Sequence, residues 1–277
     1  MLRISRQAVY QYAGRQHKQR VDEETIIQQV RTVRHRMPRI GTRKLYERLQ
    51  PMLEPLGIGR DSLFEILRRH RLLVRPRKRF VPTTNGRHTL PVFPNLLKLT
   101  RPEAPGRVVV ADQTYLRLQR GFCYLSLVSD LYSRKILGVD VSPSLETAGP
   151  LRALTMALKG ITHHNWFIHH SDRGVQYCSS EYRAFLESHG GQSSMSAAGC
   201  PYDNAVAERI NGILKSEFYL DRTFASIGQA TEAVLDAVAI YNFERDTVPN
   251  FVFMSHTLYI TDWRTYGKVK VQGRVAG

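Results

Sequence analysis

Two aspartates stand where short apolar runs of the sequence end. Asp112 directly follows the run 108–111, and Asp172 follows the run 166–168 and the residues His169, His170 and Ser171. The carboxyl ends of strands in α/β sheets are where chemical groups are commonly placed, so both carboxylates are candidates for catalysis. A structural acid that caps a turn would occupy the same position, and the spacing of each aspartate alone leaves both interpretations open.

A third acid, Glu208, lies on a predicted helix that starts after Asp203, the residue expected as its N-cap. At about 100° per residue, the polar side chains of this helix share one face and the apolar side chains share the opposite, buried face. Glu208 is the single acid of the polar face, since Glu217 falls on the other side. By spacing alone, this pattern is more typical of a surface glutamate. The polar face comprises Asn204, Glu208, Asn211, Gly212 and Lys215, and the apolar face comprises Val206, Ile210, Ile213 and Leu214.

Other chemical groupings in the sequence are weaker. Two histidine pairs, 163–164 and 169–170, suggest zinc, but neighbours on a strand point to opposite faces, so only one histidine of each pair could join a site. His170 is a candidate to orient Asp172 or to contact a phosphate. Ser171 lacks the Gly-x-Ser-x-Gly turn of nucleophilic hydrolases. The three cysteines are far apart, which argues against a disulfide framework or a four-cysteine zinc site.

The elements that must position these acids begin near residue 107. Three strands with short connections predict an antiparallel meander, and helices and strands then alternate. This order is that of an α/β, ribonuclease-H-like domain with a five-stranded mixed sheet. The expected strands lie at 108–110, 122–128, 135–141, 166–170 and 192–195, and the expected helices at about 146–159, 180–189, after 203, and 226–242.

The first third of the chain predicts three short helices. The third places Arg68 and Arg69 opposite Leu63, Ile66 and Leu67, so its outer face is basic. Three helices with an arginine-rich last one are similar to a helix-turn-helix module with a long turn, and Arg68 and Arg69 are candidate DNA contacts. The expected helices run from Asp22 to Pro38, from Thr42 as N-cap to the residue before Pro51, and over about residues 61–72.

Charge is distributed unevenly along the 277 residues. Residues 1–100 hold 22 Lys or Arg and 7 Asp or Glu, a net charge of +15, whereas residues 101–277 hold 18 and 17, a net charge of +1. A basic arm joined to a near-neutral body predicts a polyanion-binding module, with a solvated basic face or a membrane-surface patch as alternatives. A proline-rich basic linker follows, and its charges can track a phosphate backbone. The linker cations are Arg75, Arg77, Lys78 and Arg79.

Longer blocks of sequence resemble a known family. The stretch 169–177, His-His-Ser-Asp-Arg-Gly-Val-Gln-Tyr, is similar to the central motif of bacterial insertion-sequence transposases with a retroviral-integrase-type core. The blocks 112–116, 199–208 and 214–217 resemble its first motif, its third motif and the continuation of the third. Between Asp172 and Glu208 lie 35 residues, the spacing that this family shows between its second and third acids. The likeness spans roughly residues 20–245 and is strongest to the second-frame (OrfB) product of two-frame insertion sequences.

The resemblance implies DDE chemistry, in which Asp112, Asp172 and Glu208 are both catalytic and metal-binding. They would hold two Mg²⁺ ions, for which Mn²⁺ can substitute, with Asp112 as the bridging ligand. Two ions about 3.5–4 Å apart can neutralise the attacking and leaving oxygens of a phosphodiester. Water would act as the nucleophile for nicking and a DNA 3′-hydroxyl for strand transfer. Lys215 is a candidate phosphate contact.

The same resemblance implies partners and a domain order. The partners are double-stranded DNA, as terminal inverted repeats and target, a second copy of the chain on DNA, and a fused or bound upstream-frame DNA-binding protein. We expect a cytoplasmic, nucleoid-associated bacterial protein, since no apolar run approaches the ~20 residues of a membrane span. The expected regions are 1–75, helix-turn-helix-like; 76–104, basic linker; 105–245, catalytic core; and 246–277, C-terminal tail.

Two alternatives remain at this point. Gln113 and the segment after Asn242 depart from the family pattern, which leaves room for a degenerate or domesticated transposase that binds DNA without catalysis. A ribonuclease-H-type nuclease that acts on hybrids would use the same metal chemistry. The basic helical first third speaks against that nuclease, because hybrid cleavage needs no sequence-reading module.

Overall fold

A mixed β-sheet is the centre of the structure, a computed structural model that describes residues 6–74, 90–98, 100, 102–161, 166–197 and 204–244, with side chains from residue 21 onward. The strands are β1 (Val108–Leu118), β2 (Phe122–Asp130), β3 (Ile136–Ser142), β4 (Phe167–Ser171), β5 (Gly191–Met195) and β6 (Thr223–Phe224). The order is β3-β2-β1-β4-β5, and β6 pairs with the far end of β1. β1, β2 and β3 are antiparallel, whereas β4 and β5 run parallel to β1. This is the ribonuclease-H-like arrangement that the sequence predicts, except that the sheet has a short sixth strand, β6, beyond the five that were expected.

Helices cover both faces of this sheet. They are α1 (Arg6–Arg36), α2 (Thr42–Leu53), α3 (Arg60–Arg69), α4 (Ala148–Leu158), α5 (Val175–Cys178), α6 (Ser180–Ser188), α7 (Ala205–Glu217) and α8 (Ile227–Phe243). Because side chains alternate along a strand, β1 sends Val109 and Ala111 into an apolar cluster with α4 and α6. Leu116 points to the opposite face of the sheet and joins a second cluster with α7 and α8. The core therefore has three layers, and Asp112 lies on the α7 side of the sheet.

The three N-terminal helices pack into the second of these clusters. Leu45 and Leu63 are fully buried in the same apolar cluster as Leu214 and Val234 of the core. Polar contacts reinforce the packing: Arg39 donates to Asp221, and Lys44 forms an ion pair with Glu217 at the end of α7. The helical region is therefore continuous with the core in its packing.

The described part of the predicted linker also contacts the core. Leu90 and Phe93 pack on the α4/α6 cluster, and residues Leu96–Lys98 form a single 3-10 turn. The Leu96 N–H donates to Ser194 Oγ of β5 at 3.0 Å. This stretch lies along the sheet edge although the prolines predicted no regular element, because its apolar side chains find a surface to cover.

Several sequence predictions are confirmed at the level of single elements. The meander, the fourth and fifth strands and the helices that carry residues 148–158, 180–188 and 227–243 are present. Leu63, Ile66 and Leu67 are buried, and Arg68 and Arg69 are exposed. Described helices include none that is both long and apolar enough to cross a membrane.

Other expectations were wrong in their boundaries. Asp112 does not follow a strand but lies inside β1, because pairing with β2 continues to Arg117. α1 begins at Arg6, well before Asp22. The N-cap of α2 is Gly41 in place of Thr42, and Pro51 lies within the last turn of that helix. The N-cap of α7 is Asn204 and not Asp203.

Candidate active site

The parallel pairing of β1 with β4 brings the two aspartates to the same level of the sheet. The last pair of this ladder is Val110 with His170, and Asp112 and Asp172 each lie two residues beyond it. β4 ends at Ser171, so Asp172 begins a loop, whereas Asp112 stays on the strand. The Gly174 N–H donates to Asp172 Oδ1 at 3.0 Å and fixes the turn.

Helix α7 lies along β1 and presents its polar face to it. Asn204 Nδ2 donates to the Ala111 carbonyl at 3.4 Å, and Asn211 Nδ2 donates to Asp112 Oδ2 at 2.7 Å. One turn further, Lys215 Nζ donates to Thr114 Oγ1 at 2.5 Å. The polar face predicted from helical periodicity is therefore the face that meets the strand with the first aspartate.

Glu208 occupies the same face of α7, one turn after Asn204 and just before Asn211. Its side chain is exposed, whereas Asn204 and Asn211 are buried, with 4% and 5% of their surfaces accessible. Glu217 lies at the end of the helix and pairs with Lys44 of α2. Among the acids of α7, Glu208 is the one directed to the side of Asp112 and Asp172.

The three acids influence one another electrostatically. Burial raises the pKa of Asp112 to about 7, and the charges of Asp172 and Glu208 add to this rise, whereas the hydrogen bond from Asn211 opposes it. Although its side chain is exposed, partial desolvation of the Glu208 carboxyl and then the charge of Asp172 raise its pKa. Neighbouring carboxylates repel one another when they are ionised. A cation bound between them would therefore stabilise their ionised forms.

The donors of this site fit a hard divalent cation by their chemistry, since Mg²⁺ prefers carboxylate oxygens. Within the described residues, however, no three His, Cys, Asp or Glu side chains come close enough together to hold a metal ion. The charges of Asp112, Asp172 and Glu208 thus affect one another, but the three side chains do not form a complete set of metal ligands.

The histidines of β4 are buried on opposite sides of the sheet. His170 lies 2.8 Å from Ser194 Oγ through Nδ1, and its proposed role toward Asp172 or a phosphate stays a prediction. His169 Nε2 lies 2.9 Å from the hydroxyl of Tyr182. Burial, with a smaller effect of His170, lowers the pKa of His169 to about 3, so its imidazole is neutral.

Sequence reasoning placed Asn204 and Asn211 on the correct helix face but assigned them no role. The structure shows that Asn211 holds the carboxylate of Asp112 and that Asn204 contacts the preceding peptide. The available signal was their spacing from Glu208, four residues before and three after, which places all three on one stripe.

The predicted DNA contacts fall into three groups. Arg68 and Arg69 have side chains that are 61% and 54% exposed, and they pair with Glu65 and Glu23. Lys215 is half-buried against β1, with Nζ 4.6 Å from the centroid of the Tyr115 ring. Residues outside the described part of the chain include the linker cations Arg75, Arg77, Lys78 and Arg79, the pair His163 and His164, and the segment 246–277.

Family models match most of the core. One described as an integrase core domain matches residues 102–201, and a second of the same description matches residues 189–246. Together they include Asp112, Asp172 and Glu208.

Curated relatives extend the match toward the N-terminus. The "Insertion element IS600 uncharacterized 31 kDa protein" of Shigella sonnei is 36% identical over 248 residues, which cover 87% of this chain and 90% of that protein. "Transposase InsF for insertion sequence IS3A" of Escherichia coli is 37% identical over 180 residues, which cover 65% of this chain and 62% of InsF. Among solved structures, the HTLV-2 integrase catalytic core domain in complex with magnesium, trimeric form, is 18% identical with a TM-score of 0.41, covering 50% of this chain and 87% of that one.

Proposed function

The chain belongs to the insertion-sequence transposases with an integrase core, and we propose that Asp112, Asp172 and Glu208 are the acids with which it cuts and joins DNA. Its class is therefore that of a DDE transposase or integrase. The relatives favour a transposase over the degenerate, non-catalytic DNA-binding protein that the divergent residues left open.

The observation that carries this proposal is the placement of Asp112. It lies on a central strand, level with Asp172 across the parallel ladder, under the helix that bears Glu208. Its pKa of about 7 reports the burial of this site and its proximity to the other two acids. An acid that only capped a turn would not require two further carboxylates close to it.

Enzymes of this family depend on a metal, and the finer proposal here is two Mg²⁺ ions held by Asp112, Asp172 and Glu208, with Mn²⁺ as a substitute. When bound, such ions supply charge neutralisation to the oxygens of the phosphodiester that is cut. Asp112 is proposed as the ligand that both ions share.

The chain's own residues prepare this site in defined ways. Asn211 donates to Asp112 Oδ2 and so fixes the orientation of that carboxylate, while the Gly174 N–H does the same for Asp172 Oδ1. Arg173 Nε donates to the Ser196 carbonyl at 2.9 Å, which ties the loop after β4 to the end of β5. Lys215 stands on the same helix face as Glu208 and is proposed to contact a DNA phosphate.

The proposed partner is double-stranded DNA, comprising the terminal inverted repeats of the element and the target. Exposed Arg68 and Arg69, together with the linker cations, would supply non-specific and positioning contacts to phosphates. We further propose that the active form is a homo-oligomer on DNA, that an upstream-frame DNA-binding protein joins it by fusion or binding, and that it acts at the nucleoid in the bacterial cytoplasm.

The test uses the DNA that flanks the gene, cloned with both element ends in a supercoiled plasmid. We expect nicks at the ends and joined strands in Mg²⁺ or Mn²⁺, and neither product in EDTA. The upstream-frame product is added in a parallel reaction. DNA that stays uncut in both reactions, although the protein binds it, would contradict the proposal.

A further inference from the structure

Arg68 and Arg69 are neighbours at the end of α3, but the structure holds them in different ways. Arg68 pairs with Glu65, which lies three residues earlier on the same helix, and both side chains are more than half exposed. Arg69 Nη2 donates to Glu23 Oε1 of α1 at 2.6 Å, and the Glu23 side chain is 19% exposed. The orientation of the Arg69 guanidinium is therefore fixed by a second helix, whereas that of Arg68 is not.

Glu23 has a rigid support. It lies on the buried face of α1, since Ile26 and Ile27, three and four residues later, are almost fully buried. Ile26 belongs to the same apolar cluster as Ile66 and Leu67 of α3. The packing of this cluster fixes the Glu23 backbone relative to the end of α3. A pair of exposed side chains on one helix has no such support.

The carboxylate of Glu23 spans two side chains at the end of α3. Its second oxygen, Oε2, lies 3.5 Å from Nε2 of His70, the residue that caps the helix. The carbonyl end of a helix carries a partial negative charge, so a carboxylate beside it is unfavourable unless cations compensate. Since α3 gains nothing from an acid at this end, the position of Glu23 points to a role toward Arg69.

The outer side of Arg69 is suited to DNA. A guanidinium is a rigid fork with five N–H donors, and the bond to Glu23 uses one of them. The Arg69 side chain is 54% exposed, so the rest of the fork can reach a partner outside the protein. Two N–H groups of an arginine match O6 and N7 of guanine in the major groove, the commonest specific contact between proteins and DNA.

From this difference we propose that Glu23 is a positioning residue for DNA recognition, which holds the Arg69 guanidinium at the edge of one guanine in the element ends. Arg68 contacts phosphate only. A side chain that is oriented before binding loses less conformational freedom when the complex forms. The inference rests on the proposed function, which supplies the element ends as the DNA, and it adds a base contact by Arg69 to the phosphate contacts of both arginines.

The sign of one effect separates this role from a simple effect of charge. Fluorescence anisotropy measures the affinity of the full-length protein for a duplex with the terminal repeat and for a shuffled duplex of the same composition. By charge alone, removal of an acid should strengthen binding to both duplexes equally. We expect Glu23→Ala instead to lower the preference for the repeat about fivefold or more, the effect of losing one bidentate base contact. The matched control, Glu65→Ala, should leave the preference unchanged.

A chemical probe in the DNA locates the contact. Replacement of single guanines by 7-deazaguanine removes the N7 acceptor without a change in charge. We expect one such replacement to weaken binding of the wild type and of Arg68→Ala, to have a smaller effect in Glu23→Ala, and to have none in Arg69→Ala. Glu23→Gln keeps an acceptor oxygen for Arg69 and should retain part of the preference. Melting temperatures show whether each variant is folded, and the Arg69→Ala result holds whether or not Glu23→Ala folds.

Three outcomes would overturn the assignment. Equal gains of affinity for both duplexes in Glu23→Ala and Glu65→Ala would leave only an effect of charge. A guanine whose N7 matters as much in Arg69→Ala as in the wild type would contact another side chain. A wild-type protein without preference for the repeat would refute the base contact as well. Plasmid that the wild type binds but does not nick would instead refute the proposed function, while both titrations still report on Glu23.

Discussion

The helical region and the catalytic core use charged side chains in opposite ways. On α3, the side chains of Arg68 and Arg69 are more than half exposed and pair with Glu65 and Glu23. In the core, the carboxyl of Asp112 is held at 2.7 Å by a buried asparagine, and its pKa rises to about 7. Attraction to a polyanion needs only accessible charge, whereas chemistry needs carboxylates at fixed positions in poorly solvated surroundings. Changes in one region should therefore affect binding and changes in the other should affect catalysis.

The largest expected effect is in the core. Glu208→Gln, Asp112→Asn and Asp172→Asn each remove one anionic ligand and should lower strand cleavage by about three orders of magnitude or more, while DNA affinity changes little. The measurement pairs plasmid nicking with a gel-shift titration. Because the acids act as one unit, the triple variant should be scarcely worse than any single one.

The matched control for this series is Glu232→Gln, which changes an exposed glutamate on α8. It should keep wild-type cleavage. Nicking that survives in Glu208→Gln would mean that the third acid is a different residue, and a parallel loss of DNA affinity in all three variants would remove the distinction between the two regions.

A smaller effect concerns pH and again belongs to the core. The pKa of His169 is about 3 in the folded protein, because burial disfavours the imidazolium, against about 6.5 when unfolded. Its stabilising contribution is therefore present above pH 6.5 and is lost as the pH falls toward 3, by about 2 kcal/mol at pH 5. Urea unfolding at pH 7 and pH 5 should show that loss in the wild type and much less of it in His169→Gln.

The exposed His35 of α1 offers the comparison for that experiment. His35→Gln should retain the wild-type difference between the two pH values. An identical pH difference in His169→Gln would show that the acid sensitivity of the fold has another source.

On the helical side, Arg68→Ala with Arg69→Ala should weaken DNA binding about tenfold at moderate salt and leave the melting temperature nearly unchanged. Removal of one phosphate contact should reduce the slope of log affinity against log salt by about 0.9. If the weakening differs among DNA sequences, the arginines reach base edges, where each bidentate contact is worth about 1–3 kcal/mol.

The control for this pair removes the same two charges from the core surface. Arg117→Ala with Arg120→Ala alters exposed arginines at the β1–β2 turn. Equal weakening of DNA binding in both double variants would mean that total charge, and not its position on α3, determines the affinity.

The smallest expected effect lies where the two regions meet. The charge pattern of α7 predicts that Glu217 plays no part in the metal site. Its ion pair with Lys44 instead gives Glu217 a structural role. Glu217→Gln should cost about 0.5–1 kcal/mol of unfolding free energy, since Lys44 is partly solvated. A double-mutant cycle with Lys44→Met measures the coupling, and additive effects would show that this ion pair contributes nothing to the interface.

The sequence predicts β1 to β4 well because each contains a local apolar run, but it does not predict the two-residue β6. It places Asp112 at a strand end and misses the continuation of β1, since residues 113–115 are mixed in polarity and only pairing with β2 makes them strand. It finds the polar face of α7 by periodicity, but the hydrogen bond from Asn211 to Asp112 depends on a helix and a strand 99 residues apart. The packing of α1–α3 onto α7 and α8 likewise depends on long-range contacts that no local pattern contains.

The ion pair at the end of α7 also bears on how such elements evolve. One helix carries Glu208 and Asn211 in its middle and Glu217 at its end, where it meets Lys44 of the second N-terminal helix. An exchange of the N-terminal helices between two insertion sequences would separate Lys44 from its glutamate and Leu45 from its apolar neighbours. Recombinants of this kind should be less stable unless α7 is inherited together with the N-terminal helices, so the unit of inheritance includes both the N-terminal helices and part of the catalytic core.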